Sequence, residues 1–134
     1  MKRILALLAA LTAALVLLPR LSAGETIPAK EAAARVTAGQ AVLIDVREAA
    51  EWQETGVAAP AVLLPLSDLR GDRKEWKAFL AAHPGKALIL YCRSGHRAGI
   101  AADILAKEGF KTANAGAFKD WAAAGLPVRQ VPGQ

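Results

Sequence analysis

The sequence predicts an α/β fold in which helices flank a mostly parallel central sheet. Short, continuous apolar runs occur at 41–46, 61–64 and 87–91, and such runs are typical of buried parallel strands. The segments around them place apolar residues at helical spacing. Strands that alternate with helices along a chain pack as a layered α/β domain.

The first half of the predicted domain begins with a helix and continues with two strands. Pro28 suits the first turn of this helix, and Gly39 suits the position after its end. Pro65 closes the second apolar run, because proline cannot donate to a sheet ladder. The predicted elements are a helix over Pro28–Ala38 and strands over Ala41–Val46 and Ala61–Leu64.

The second half alternates helices and strands more regularly. Trp76, Phe79 and Leu80 share one face of a helix, and "HPGK" is a turn sequence before the third strand. Gly109 follows the next helix and favours its end. The predicted elements are helices over Arg73–Ala82, Ala98–Lys107 and Ala117–Ala124, and strands over Ala87–Tyr91 and Thr112–Asn114.

The N-terminal segment has the pattern of a secretory signal peptide. Lys2 and Arg3 precede the apolar run Ile4–Leu18, and small residues at Ala23 and Gly24 suit cleavage. We therefore expect residues 1–23 to be a signal peptide, 24–134 to be one domain, and the protein to be periplasmic. If the segment stays uncleaved, it anchors the protein to the membrane, which is otherwise not expected as a partner.

Composition argues against nucleic acid and metal as partners. The formal charge of +5 falls to +2 when Lys2, Arg3 and Arg20 leave with the signal peptide, and no basic stripe with interleaved aromatics remains. The single cysteine cannot form an internal disulfide, and it does not form a metal-ligand spacing with the two histidines. The tryptophans at 52, 76 and 121 lie where helices are expected to face the core.

The strongest functional signal is the segment "LILYCRSGHRAGIAADILAKEGF" around Cys92. Cys92 is expected just past the end of the third strand, with the next helix about six residues later, where sites gather in α/β sheets. Loop amides, a helix N-terminus and the side chains of Arg93 and Arg97 all favour thiolate over thiol. The segment predicts a nucleophilic Cys92 in an anion-binding loop, although a buried cysteine that acts as a small hydrophobe remains the alternative.

The length of the loop separates two kinds of enzyme. Cysteine phosphatases have a cysteine, five residues and then an arginine, but the position of that arginine is Ala98 here. The arginine comes one residue early, at Arg97, and the shorter loop suits one sulfur atom on the cysteine better than a phosphate. His96 is expected to point to solvent and to contribute its amide.

The sequence resembles the rhodanese-like family over nearly all of the predicted domain. The matching segments are "VLIDVREAAEW", "VLLPLSDL", "LILYCRSGHRAGIAADILAKEGF" and "NAGAFKDWAAAGLPV", in the order of the family. The chain is most similar to the small exported single-domain thiosulfate sulfurtransferases of the phage-shock type. The resemblance implies a three-layer α/β sandwich and sulfur transfer through a cysteine persulfide, without a cofactor.

The resemblance also implies roles for single residues. Cys92 would accept the sulfur, and the backbone amides of the loop Arg93, Ser94, Gly95, His96 and Arg97 would surround the persulfide. Arg93 and Arg97 would attract the anionic donor, and Arg97 would also support the loop. Asp45 and Arg47 match a family "D-x-R" segment and would support the site, with Glu51 as a weaker candidate partner of Arg47. The segment "TGVAAPAV" departs from the family pattern, since its usual histidine is absent.

We therefore expect a sulfurtransferase that moves sulfane sulfur from thiosulfate, or a related small anionic donor, to cyanide or a thiol. A non-enzymatic carrier that hands the persulfide to a protein partner is one alternative. A cysteine phosphatase or arsenate reductase with a similar loop is the other.

Overall fold

The computed structural model describes residues 18–22 and 24–133, and the predicted signal peptide therefore lies mostly outside the described residues. The strands are β1 Glu25–Thr26, β2 Ala41–Asp45, β3 Val57–Ala58, β4 Val62–Leu63, β5 Ala87–Cys92, β6 Thr112–Ala117 and β7 Val128–Arg129. The helices are α1 Ala29–Thr37, α2 Ala49–Thr55, α3 Leu66–Arg70, α4 Lys74–Ala82, α5 His96–Lys107 and α6 Phe118–Ala123. None of these helices is long and apolar enough to cross a membrane.

Five strands form the central sheet in the order β1-β6-β5-β2-β4, and every neighbouring pair is parallel. A separate two-stranded sheet joins β3 to β7 in antiparallel register. The predicted architecture of a mostly parallel sheet flanked by helices is thus confirmed. All carboxyl ends of the central strands lie along one edge, which is where a site is expected in such sheets.

The two faces of the sheet carry two separate hydrophobic cores. In β5, Leu88, Leu90 and Cys92 pack with α3, α4 and α5, whereas Ile89 and Tyr91 pack with α1 and α6. This alternation follows from the two-residue period of a strand. Both faces of β5 are covered because the strand is central, and its continuous apolar sequence reflects this burial.

The predicted tryptophan packing holds fully at two of three positions. Trp76 and Trp121 are buried in opposite cores. Their indole nitrogens donate to the carbonyls of Pro65 and Pro127. Trp52 is half-buried on α2, and its indole nitrogen is the one buried side-chain polar atom of the described residues without a hydrogen-bond partner.

The structure contains several short elements that the sequence did not predict. They are the helices α2 and α3 and the two-residue strands β1, β3 and β7. Helix α2 is fixed by a capping box, in which Glu48 and Glu51 exchange backbone and side-chain hydrogen bonds. Strand β6 extends three residues beyond its predicted end at Asn114 and reaches Ala117.

Candidate active site

Cys92 lies at the carboxyl end of the central strand, and the turn that follows it is shorter than predicted. It is the last residue of β5, not the residue after it, and α5 begins at His96 instead of Ala98. Both earlier expectations about these boundaries were wrong. His96 and Arg97 therefore lie in the first turn of a twelve-residue helix whose N-terminus faces the cysteine.

Two backbone amides donate hydrogen bonds to the cysteine sulfur. The Gly95 amide lies 3.0 Å from Sγ, and the Ala98 amide lies 3.4 Å from it. The Cys92 side chain is completely buried. Of the predicted loop residues 93–97, Gly95 is the one whose amide donates to the sulfur, and the second donor, Ala98, lies one residue beyond that loop. The His96 amide donates to Ser94 Oγ instead. Amide donors at a helix N-terminus stabilise negative charge, so these two amides can stabilise charge that develops on this sulfur in a reaction.

Gly95 has a backbone conformation that other residues resist. Its φ is +95°, and a Cβ at this position would lie 3.3 Å from the Cα of Gly116. The turn after β5 therefore packs directly against the backbone of β6. Only glycine can adopt this φ and also lie this close to the backbone of Gly116.

Asn114 holds the cysteine turn against β6, a role that the sequence did not predict. Its Nδ2 donates to the Gly95 carbonyl at 2.9 Å, and its Oδ1 accepts from the Gly116 amide at 2.8 Å. The register between β5 and β6 shifts here, so that Cys92 pairs with Ala117 although Leu90 pairs with Asn114. An asparagine inside a strand of small residues was the available signal, since asparagine is depleted in strands.

Arg97 is engaged by Glu51 and is not directed at the sulfur. Its Nη1 and Nη2 donate to the two Glu51 carboxylate oxygens at 2.7 and 2.6 Å. These hydrogen bonds from Arg97 lower the pKa of the Glu51 carboxyl to about 2. The predicted pairing of Glu51 with Arg47 is therefore wrong. Glu51 instead links α2 to the first turn of α5.

Arg47 and Asp45 form a buried ion pair at the end of β2. The Arg47 Nη2 lies 2.8 Å from the Asp45 carboxylate, and the two side chains are 2% and 0% exposed. Arg47 also donates to the Thr55 hydroxyl and the Gly56 carbonyl, which fixes the end of α2. No hydrogen bond joins this pair to the cysteine loop within the described residues, so it supports the neighbouring helix and not the loop itself.

The Arg47 guanidinium also lies against aromatic rings. Its Cζ is 4.6 Å from the centre of the Phe118 ring and 5.9 Å from that of Tyr91. The Tyr91 hydroxyl accepts a hydrogen bond from the Ala58 amide at 3.0 Å. Burial is the main cause that raises the pKa of the Tyr91 hydroxyl well above its ordinary value, and the negative charge of Asp45 is the next largest cause. Tyr91 is therefore a neutral structural contact at neutral pH.

An open pocket of about 810 Å³ lies beside the cysteine turn. We call it the mouth pocket. Arg93 and Ser94 line it and are exposed, as is His96 nearby. The Arg93 side chain forms no hydrogen bond or ion pair within the described residues, in contrast to Arg97. The complete lining is Arg47, Glu51, Glu54, Thr55, Arg93, Ser94, Ala117, Phe118, Lys119 and Asp120.

Comparison with known proteins places this geometry in a family. The sequence profile of the rhodanese-like domain matches residues 28–124, which include every residue of the candidate site. No curated protein is significantly similar to the chain.

Solved structures with the same fold belong to several kinds of protein. A reduced Bacillus anthracis CoADR-RHD is 29% identical with a TM-score of 0.64, and the alignment covers 79% of this chain but only 18% of that protein. A Rhodopseudomonas palustris protein of unknown function, described as a possible tyrosine phosphatase, is 25% identical with a TM-score of 0.66, covering 79% of this chain and 85% of that one. A Thermoplasma volcanium rhodanese-related protein is 25% identical with a TM-score of 0.62, covering 80% and 99%.

Proposed function

The chain belongs to the rhodanese-like domain family, and from this premise we propose that it is a thiosulfate sulfurtransferase that works through a persulfide on Cys92. The observation that carries the proposal is the position of Cys92 Sγ, which accepts hydrogen bonds from the amides of Gly95 and Ala98. These donors favour a sulfur anion at the carboxyl end of the central strand.

The first half-reaction forms the persulfide. The Cys92 thiolate attacks the outer sulfur of thiosulfate, an S–S bond forms, and the S–S bond of thiosulfate breaks with its electron pair leaving on sulfite. The product is the anion Cys92–S–S⁻, and the amides of Gly95 and Ala98, which bond to Cys92 Sγ, help to stabilise its charge. Arg93 supplies positive charge at the entrance. Arg97 holds the first turn of α5 through Glu51 and so keeps the Ala98 amide in place.

The second half-reaction returns the cysteine to its resting state. Cyanide attacks the outer sulfur, the bond between the two sulfurs breaks, and its electron pair returns to Cys92 as a thiolate while thiocyanate leaves. A thiol takes the sulfur in the same way and becomes a persulfide. Two successive displacements at one nucleophile give ping-pong kinetics.

The residue at position 98 favours sulfur transfer over phosphatase chemistry. A phosphatase of the cysteine class needs an arginine there to bind the phosphate oxygens, whereas Ala98 contributes only its backbone amide, 3.4 Å from the sulfur. The likeness to a possible tyrosine phosphatase is thus a likeness of fold.

Steady-state kinetics with thiosulfate and cyanide tests the proposal. We expect thiocyanate formation with parallel double-reciprocal lines, and we expect Cys92→Ser to abolish it. A folded protein with intact Cys92 that forms no thiocyanate, while it hydrolyses a phosphate ester or reduces arsenate, would overturn the proposal. Slow turnover combined with rapid sulfur transfer to a protein would instead identify a carrier.

We propose further that the protein is exported to the periplasm after removal of residues 1–23. The basic, apolar and small-residue regions of this segment support the proposal. The intact mass of the protein from a periplasmic extract is expected to match a chain that starts at Gly24. A protein that retains residues 1–23 in the membrane fraction would contradict cleavage.

A further inference from the structure

We propose that Asn114 is a positioning residue for sulfur transfer, and that its side-chain amide fixes Gly95 so that the Gly95 N–H points at the cysteine sulfur. This inference rests on the proposed function, because it concerns a hydrogen-bond donor of the same site. Asn114 acts through Gly95, since its side-chain hydrogen bonds go to the backbone of Gly95 and Gly116.

Gly95 links the cysteine sulfur to the start of α5. Its N–H donates to Cys92 Sγ at 3.0 Å. Its carbonyl accepts the first hydrogen bond of the helix, from the Gly99 N–H at 3.0 Å, and a second from Asn114 Nδ2 at 2.9 Å. Glycine has more backbone freedom than any other residue, so a glycine whose N–H must keep one direction needs support from outside its own turn. The Asn114 side chain gives that support.

The two groups that Asn114 joins have opposite hydrogen-bonding chemistry. The Gly95 carbonyl can only accept a hydrogen bond, and the Gly116 N–H can only donate one. The side chain between them must therefore donate at one end and accept at the other, which Asn114 does with Nδ2 at 2.9 Å and Oδ1 at 2.8 Å. A carboxylate only accepts and an alkyl chain does neither, so neither replaces the carboxamide here.

Two glycines at the start of α5 flank the side-chain amide of Asn114. A Cβ at Gly99 would lie 3.4 Å from Asn114 Nδ2, and a Cβ at Gly95 would lie 3.9 Å from it. Gly95 and Gly99 are four residues apart and therefore lie on the same side of the helix. Glycine inside a helix lowers its stability relative to alanine, and the space that the Asn114 amide occupies accounts for the glycine at position 99.

The backbone of Asn114 is itself held from both sides. In the central sheet Asn114 pairs with Leu90 of β5 and with Thr26 of β1. Its carbonyl accepts a hydrogen bond from the Ile27 N–H at 2.9 Å. The side chain therefore starts from a fixed point, and its hydrogen bond to Gly95 sets the distance between β6 and the cysteine turn.

The rate of the first half-reaction tests the inference. The purified protein is mixed with thiosulfate below saturation, and the gain of one sulfur, which we call loading, is followed by intact mass. Asn114→Ala is expected to slow loading about three- to tenfold, the range of one or two lost hydrogen bonds.

Thr112→Val is the matched control. Thr112 lies two residues earlier in β6, and its Oγ1 donates to the Ala102 carbonyl of the same helix, α5, at 3.2 Å. The variant thus removes a hydrogen bond between the same two elements, away from the cysteine turn. It is expected to lower the free energy of unfolding and to load sulfur at the wild-type rate.

Asn114→Asp provides a pH profile that a purely structural role would not give. At neutral pH its carboxylate cannot donate to the Gly95 carbonyl, and loading is expected to fall by about tenfold or more. Proximity to a carbonyl oxygen disfavours the charged form, so this carboxyl takes up a proton above the ordinary Asp pKa of about 3.9. The protonated carboxyl donates to Gly95 and accepts from Gly116, as asparagine does. The loading rate relative to wild type is therefore expected to rise as the pH falls from about 8 to about 5.

Comparison of the two Asn114 variants separates position from charge. If the carboxylate slowed loading only through its negative charge, protonation would raise the rate no further than that of Asn114→Ala. If the protonated carboxyl holds Gly95, Asn114→Asp at about pH 5 is expected to load faster than Asn114→Ala. The neighbouring titratable groups are also present in the wild type, so their effects cancel in the ratio. They are Cys92 of β5, His96, Arg97 and Asp103 of α5, Asp120 of α6 and Glu25 of β1.

Gly99→Val tests the space around the side-chain amide. A branched side chain at position 99 displaces the Asn114 amide, so loading is expected to slow severalfold in the protein that keeps Asn114. In the Asn114→Ala protein the same substitution meets no carboxamide and is expected to change the loading rate much less. Equal effects in the two backgrounds would show no coupling between the two positions and would contradict the inference.

The outcomes separate this inference from the proposed function. Loading of Asn114→Ala at the wild-type rate, or an Asn114→Asp ratio independent of pH, would overturn the inference alone. Equal loss of loading in Asn114→Ala and Thr112→Val would assign Asn114 a role in stability only and would likewise overturn it. If Asn114→Ala does not fold, the pH profile of Asn114→Asp decides between these results. Failure of the folded, reduced wild type to gain sulfur would overturn the proposed function, and the inference with it.

Discussion

Two strand-to-helix turns lie next to each other at the carboxyl edge of the sheet, and they are stabilised in opposite ways. The turn after β2 is held by side chains, because the buried pair Asp45 and Arg47 supplies its hydrogen bonds. The turn after β5 is held through its backbone groups, because the amides of Gly95 and Ala98 donate to the cysteine sulfur and the Gly95 carbonyl accepts from Asn114 Nδ2.

The difference suggests separate roles for the two turns, stability for the turn after β2 and, in the proposed function, chemistry for the turn after β5. A buried ion pair is costly to break but chemically inert, so the β2 turn serves as a rigid neighbour. Backbone amides supply preorganised donors to the Cys92 sulfur, which is the reacting atom in the proposed function. Glu51 connects the two turns, because it belongs to α2 and its side chain forms an ion pair with Arg97 of α5.

Breaking the β2 turn is expected to have the largest effect on stability. Asp45→Asn removes the charge that compensates Arg47 and leaves a buried guanidinium unpaired, and the expected loss is about 3–5 kcal/mol in the free energy of unfolding. Urea denaturation measures it. Glu108→Gln, which removes the partner of Arg73 in an ion pair whose two side chains are both partly exposed, is the control and is expected to cost less than about 1 kcal/mol. Equal losses in the two variants would contradict the special role of the β2 pair.

The β5 turn is tested by two glycines that share a conformation. Gly95 and Gly109 have φ values of +95° and +94°, but a Cβ at Gly95 meets Gly116 whereas one at Gly109 meets nothing within 4 Å. Both alanine variants are expected to lose about 1–2 kcal/mol of unfolding free energy from the backbone strain. Only Gly95→Ala is expected to lose sulfur transfer as well, by tenfold or more, on the order of 1.4 kcal/mol. Equal activity in the two variants would show that the contact with Gly116 does not position the turn.

The ion pair between Glu51 and Arg97 predicts how the free energy of unfolding depends on pH. The Glu51 pKa is lowered from about 4.5 to about 2 by Arg97, so its contribution to stability is complete above about pH 4.5 and is lost as the pH falls toward 2. Because both side chains are partly exposed, we expect a contribution on the order of 1 kcal/mol. The free energy of unfolding of the wild type should therefore exceed that of Glu51→Gln at neutral pH, and the difference should shrink through this acid range. A difference independent of pH would contradict the ion pair.

The main elements were predictable because their signals are local. The apolar run of β5 and the helical spacing of α4 and α5 follow directly from burial on one or both faces. The short elements were not predictable, since α3 and the two-residue strands are fixed by tertiary packing and carry too few residues for a period. The start of α5 was misplaced by two residues because its N-cap is Gly95, which is left-handed and carries no capping side chain.

The site was predictable in its centre and not in its supports. Cys92 and its loop could be singled out from the sequence because they form one contiguous motif. Asp45 and Arg47 were singled out as supports through the family resemblance, but the ion pair between them was not predicted. The partner of Glu51 was mistaken because Arg47 is four residues away in sequence, while the true partner, Arg97, is 46 residues away. Asn114 was missed for the same reason, since its role depends on the register shift between β5 and β6.

The most direct test of the central claim is the intact mass of the domain after mixing with thiosulfate, measured beside Cys92→Ser. The account predicts the gain of one sulfur atom in the wild type, its removal by cyanide as thiocyanate, and no gain in the variant. A folded, reduced wild type that gains no sulfur, or a Cys92→Ser variant that gains sulfur equally, would contradict the account.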